Sequence, residues 1–179
     1  MKKLLGIVVL GLLLSGNGYA DDISDFQIEG MSLGDSALKY YSEDEIIANK
    51  QNWYKGKKYS TSEIGDIQIS YKTKDSEYLL QGIEFTESMD ISKCLEELPS
   101  QVDAVRALFS DKVKLDGPNK YKHWADKSKK SWVHSYEFLF PSKDMILVEC
   151  YDWSKNVSWG DNLRMSILSK EFARFLRNQ

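Results

Sequence analysis

Two cysteines, two histidines and three prolines are all that the 179 residues contain of these types, and each scarcity closes off some chemistry. Cys94 and Cys150 stand far apart, so no C-x-x-C dithiol is present for thiol–disulfide exchange. His123 and His134 do not lie at chelating spacing with the cysteines, which argues against a zinc site. The chain has no G-x-S-x-G elbow, no P-loop and no dinucleotide fingerprint. Acidic runs such as Glu43-Asp44-Glu45 and Glu96-Glu97 read as solvated helix faces, not as the convergent carboxylate pair of a glycosidase. The sequence therefore assigns no catalytic residue, no cofactor-binding residue and no metal ligand. A basic excess is missing too: 24 Lys and Arg stand against 27 Asp and Glu, a net charge of −3. That balance argues against nucleic-acid binding, whose usual footprint is basic.

The first long apolar run is also the last. Lys2 and Lys3 precede an uncharged stretch from Leu4 to Leu14, and Ser15-Gly-Asn-Gly18 breaks it. Gly18 and Ala20 sit at the −3 and −1 positions of a small-residue cleavage site. This order is that of a secretory signal peptide over residues 1–20. The run covers 11 residues, against roughly 20 for a membrane-spanning helix. No cysteine follows the cleavage region to carry a lipid, and no later run is long enough to span. The expected product is a periplasmic or secreted protein without a transmembrane anchor, beginning at Asp21. Cleavage removes Lys2 and Lys3, leaving 22 basic and 27 acidic side chains, a net charge of −5.

An even cysteine pair in an oxidising compartment favours a Cys94–Cys150 disulfide, the rival being two separate buried thiols. Closing a loop of this length stabilises a fold by about 4 kcal/mol in the chain-entropy model.

What is present is periodicity. Ser32-Leu-Gly-Asp35 and Ser42-Glu-Asp-Glu45 are helix-start signals. Ile67, Ile69 and Tyr71 alternate with polar residues as a strand, followed by a second over Leu79, Ile83 and Phe85. Tyr59 to Ile64 is a weaker strand candidate. Cys94, Leu98, Val102, Val105 and Phe109 lie on one helical stripe, where Pro99 is expected to kink or split the helix. Asp116-Gly-Pro-Asn119 reads as a turn. Strands are expected through His134–Phe140, Ile146–Cys150 and Leu163–Ile167, then a helix capped by Ser169. The pattern predicts an α+β fold: helices on one face of an antiparallel sheet, with a closing C-terminal helix. Residues 21–179 read as one domain, with two helix-then-strands halves at 21–88 and 89–179.

The segment Phe26-Gln-Ile-Glu-Gly-Met-Ser-Leu-Gly-Asp-Ser-Ala-Leu-Lys-Tyr-Tyr-Ser-Glu-Asp-Glu-Ile46 resembles the opening of uncharacterised exported proteins from marine bacteria, a likeness that implies no activity. Within it, Gly30-Met-Ser-Leu-Gly-Asp-Ser36 is similar to small outer-membrane assembly lipoproteins and β-lactamase inhibitory proteins. That similarity implies an α+β module acting by binding other proteins. The lipid-bearing cysteine of the assembly lipoproteins has no counterpart here.

The most unusual segment runs from Tyr121 to Trp132. Lys122, Lys127, Lys129 and Lys130 add positive charge to an acidic chain, and Trp124 and Trp132 add aromatic area. Such a mixture suits an anionic glycan, a lipid head group or an acidic protein. The blander reading is a solvated connection with both tryptophans at the core edge. Tyr151, Trp153 and Trp159 form a second aromatic group around the Ser154–Ser158 turn. The expected function is a non-catalytic binding or interaction protein of the cell envelope. Its partner would be another envelope protein or an anionic ligand. A small-ligand carrier is the alternative and a hydrolase stands last.

Overall fold

The computed structural model describes residues 22–47, 54–61, 65–72 and 74–178; the expected signal peptide lies outside them. One antiparallel sheet organises the chain. In sequence order the strands are β1 (Tyr54–Thr61), β2 (Gly65–Lys72), β3 (Leu80–Ser88), β4 (Lys114–Lys122), β5 (Trp132–Leu139), β6 (Met145–Asp152) and β7 (Asn162–Leu168). In space they run β1-β2-β3-β7-β6-β5-β4, so β7 returns to the middle and joins the first three strands to the rest. The helices are α1 (Glu43–Ile47), α2 (Ile91–Arg106) and α3 (Lys170–Arg177), with 3₁₀ turns at Ile23–Asp25 and Ala37–Lys39. This is the expected α+β class.

Alternation along the strands gives the sheet two unlike faces. On one face Ile69, Ile83, Ile167, Val148 and Phe138 are all buried. The α2 stripe of Cys94, Leu98, Val102 and Val105 covers it, as do Phe26, Met31 and Ile46 from the N-terminal segment. Phe109 joins them, 5.9 Å from Phe26 and 5.0 Å from Phe140 between ring centroids. Cys94 and Cys150 meet at this interface with their sulfur atoms at disulfide distance and Cα atoms 5.9 Å apart.

The closing helix α3 lies against the opposite face, so the α+β class stands but the helices cover both faces and not the single face that the sequence pattern predicts. Phe172 and Ala173 pack with Met145 and Leu168, and Leu139, Leu147 and Phe175 border them. Gly82 makes this docking possible: a Cβ there would stand 2.5 Å from the Phe172 ring. Ser169 caps α3 as expected, accepting from the Phe172 N–H at 3.1 Å. The Ser42–Glu45 capping signal is likewise realised, with Glu45 accepting from the Ser42 N–H and hydroxyl at 2.9 and 2.7 Å.

Two local expectations are corrected, and the kink-or-split expectation at Pro99 loses its second branch. Pro99 does not split α2, which is unbroken from Ile91 to Arg106. The Ser100 hydroxyl donates to the Glu97 carbonyl at 2.7 Å instead of starting a new helix. Ser32-Leu-Gly-Asp35 is a turn, in which Asp35 accepts from the Ser32 N–H at 3.0 Å; only the short Ala37–Lys39 3₁₀ turn follows. Asp116-Gly-Pro-Asn119 does not end a strand: it is a bulge inside β4, where the pairing with β5 shifts register. A fully exposed edge strand has no buried face to alternate, so the hydrophobic pattern could not reveal β4.

Candidate functional site

Two loops meet at one end of the sheet: residues 123–131 between β4 and β5, and 153–161 between β6 and β7. Asp126 builds the first. Its side chain, 3% exposed, accepts from the N–H groups of Ser128 (2.8 Å), Lys130 (3.1 Å) and Ser131 (2.8 Å), and from the Ser131 hydroxyl (2.7 Å). Hydrogen bonds from Ser128 and Ser131 hold its carboxyl well below the usual carboxylate range. Aspartate suits this work because its short side chain reaches backbone N–H groups two or more residues on.

Asp126 also stitches the loops together. The Ser154 hydroxyl donates to it at 3.2 Å, and the Ser154 N–H donates to Ser131 Oγ at 3.0 Å. Asp161 fixes the second loop by accepting from the Trp153 N–H at 2.8 Å.

This scaffold displays a continuous strip of rings. His123 stacks on Trp124 at 5.8 Å and meets Trp153 at 4.4 Å, and Trp153 meets Trp159 edge-on at 4.6 Å. Tyr151 lies beneath, 5.5 Å from His123 and 5.6 Å from Trp153. The ends of the strip stand in water: Trp124 is 74% exposed and Trp159 52%. Burial, then the Arg164 charge, lowers the His123 pKa. Its Nδ1 accepts from the Ala125 N–H at 3.1 Å, a bond that requires the unprotonated nitrogen.

Under the strip lies a polar cluster on the α3 side of the sheet. Glu149, 2% exposed, accepts from the hydroxyls of Tyr121 (2.7 Å) and Tyr151 (2.8 Å). Arg164 lies over the Tyr151 ring at 4.1 Å and pairs with Glu84 at 3.3 Å. Burial followed by the Glu149 charge raises both tyrosine pKa values, so neither phenol is activated. Burial works against the Arg164 charge, but Glu84 and the other acidic groups around it prevail and raise its pKa. The cluster holds Tyr151 in place under the rings through its bonds to Glu149 and Arg164, while the buried Arg164 Nε finds no hydrogen-bond partner among the described residues.

The structure divides the lysine–tryptophan segment. Trp124, Lys127, Lys129 and Lys130 lie in the first loop, and the three lysines are exposed. Trp132 and Lys122 lie on the other side of the sheet, facing the same way as Cys150 through the β5–β6 register. There the Lys122 Nζ sits 3.2 Å from the Trp132 ring centroid and Lys120 4.8 Å, so both lysines are spent on one half-buried indole. Trp124 does not tuck into the core edge.

Tyr151, Trp153 and Trp159, which the sequence shows only as a separate aromatic group, belong to the same strip as Trp124. His123 joins the two groups across 30 residues of chain. The roles of Asp126, Glu149 and Arg164 were missed. Asp126-x-Ser128 is a local turn signal that points to the first of these; the other two need the strand register. Among the described residues no group of three or more His, Cys, Asp or Glu side chains is arranged to hold a metal ion. No helix there is long and apolar enough to cross a membrane. No family model, curated protein or solved structure matches the chain.

Proposed function

We propose that the chain is an exported, non-catalytic binding protein of the cell envelope, and that the ring strip with its two stitched loops is its ligand face. One observation carries the reading. Trp124 is held out in water by a loop whose hydrogen bonds converge on the buried Asp126. A mobile loop would let the indole fold back; this one keeps it displayed, and preorganisation of this kind lowers the cost of binding. Trp and Tyr are the residues that most often dominate binding energy. Export is supported by the signal-like opening and by a cysteine pair at disulfide distance.

The groups nearest to chemistry support binding in preference to turnover. The only imidazole in the strip has its Nδ1 occupied by a backbone N–H and rings on several sides. Both tyrosine hydroxyls are committed to Glu149.

Immobilised protein exposed to envelope extract tests the reading, with Trp124→Ala/Trp159→Ala as the comparison. The reading predicts a component retained by the wild type and lost with the double variant while the fold persists. Equal retention by both forms would remove the strip from the binding face.

A further inference from the structure

Resting on that reading, we infer that the ring strip takes an acidic polysaccharide, with sugar rings laid on Trp124 and Trp159 and their carboxylate or sulfate groups met by the loop lysines. Three features single out this occupant. The first is the kind of apolar surface on offer. The large exposed apolar side chains of the two loops are indoles, Trp124 and Trp159, while the exposed leucines all belong to other segments. A protein hot spot is surrounded by a broad shell of contacts that excludes water. The exposed residues that accompany the indoles on these loops are serines, Asn156 and lysines, with Gly160. The flat C–H face of a pyranose needs only the negative face of an indole, and its hydroxyls need hydrogen-bonding neighbours of this kind.

The second feature is charge. Lys127, Lys129, Lys130 and Lys155 are all exposed on these loops. The loop carboxylates Asp126 and Asp161 are turned inward onto N–H groups. A chain with a net charge of −5 after removal of residues 1–20 thus presents exposed cationic side chains beside the strip. Complementarity calls for an anionic ligand.

The third feature weighs against an extended peptide at the neighbouring edge. Strand addition needs a flat edge with free N–H groups. The adjoining edge strand β4 carries a bulge between Asp116 and Asn119, includes Pro118, and bears Lys114, Lys120 and Lys122, the devices that keep an edge from pairing.

The test titrates the purified protein with three polymers of matched length, followed by tryptophan fluorescence and calorimetry. They are a galacturonate oligomer, a heparin oligomer and poly-glutamate. At least one of the saccharides should bind and perturb the indole emission, and poly-glutamate should bind at least roughly tenfold more weakly. Trp124→Ala should weaken the saccharide by a similar factor without changing the circular dichroism. Lys127→Gln/Lys129→Gln/Lys130→Gln should weaken it too, and added salt should erode wild-type binding because exposed charges are screened. Equal affinity for poly-glutamate would overturn the inference, as would saccharide binding indifferent to Trp124→Ala, or failure of both saccharides to bind. A protein captured from envelope extract in a Trp124-dependent manner, with neither saccharide bound, would leave the binding reading standing and reject the polysaccharide.

Discussion

The two faces of the sheet are built on different terms. The face under α2 is apolar from β2 to β5, and a cysteine pair at disulfide distance ties helix to strand. The opposite face starts apolar beneath α3, then becomes a polar cluster in which the buried Glu149 and Tyr151 are joined by the partly buried Glu84 and Arg164 and the exposed Tyr121, and ends in exposed rings. Burying ions is costly even when they are paired, and holding tryptophan in water gives up burial that a core would use. The first face shows what the chain needs in order to fold. The second carries features that folding alone does not require.

That contrast predicts a descending series of stability effects. The largest belongs to the α2 face. Cys94→Ala should cost about 4 kcal/mol, because it releases a loop spanning 56 residues in the unfolded chain. Urea denaturation of the variant against the unreduced wild type measures this. A loss below about 1 kcal/mol would mean that the bridge contributes little beyond packing. Next comes the cluster on the other face. Glu149→Gln replaces a carboxylate that accepts from two tyrosine hydroxyls with a group carrying only one acceptor oxygen. A loss of about 1–3 kcal/mol is expected, as when a buried partner is removed. An unchanged or more stable variant would contradict the view that this cluster anchors the strip.

Acid should act through the ring end. The folded His123 pKa is lowered from its ordinary value of 6.5 by burial and by Arg164. The neutral ring therefore contributes stability that is present above pH 6.5 and lost as pH falls through the folded pKa. His134 on the other face, lowered by burial and by Lys120, adds in the same direction. NMR titration should give His123 an imidazole midpoint below 6.5, with Trp124 resonances shifting in step as the Ala125–Nδ1 bond is lost. A midpoint above 6.5 would refute the neutral, enclosed ring.

Periodicity made one face legible and left the other mostly hidden. Ile146, Val148 and Cys150 alternate because one side of β6 is buried under α2, and Cys94, Leu98, Val102 and Val105 recur at helical spacing for the same reason. The α+β class, the cysteine pairing and the Ser169-capped helix could be read from such patterns. Trp124, Lys127, Lys129 and Lys130 stood out by composition alone. Their connection to Trp153 and Trp159 did not, because the β5–β6 and β6–β7 pairings that bring the loops together are long-range. Lys122 and Trp132 were grouped with Trp124 by proximity in sequence. The strand pleat sends them to the other side, because successive residues along a strand alternate between faces. Glu149 sits in a run of β6 buried from Val148 to Tyr151, where alternation of burial is lost.

The smallest stability effect in the series is also the most telling measurement. Trp124→Ala removes the most exposed large apolar side chain of the described residues, and its stability in urea should stay within about 0.5 kcal/mol of the wild type. The same variant should lose most of the tryptophan-fluorescence response and affinity that the wild type shows toward an acidic oligosaccharide. Stability kept and binding lost is the result that the account predicts. A loss of about 3–5 kcal/mol, the cost of emptying a core aromatic site, would place Trp124 in the packing of the fold and contradict a displayed ligand face.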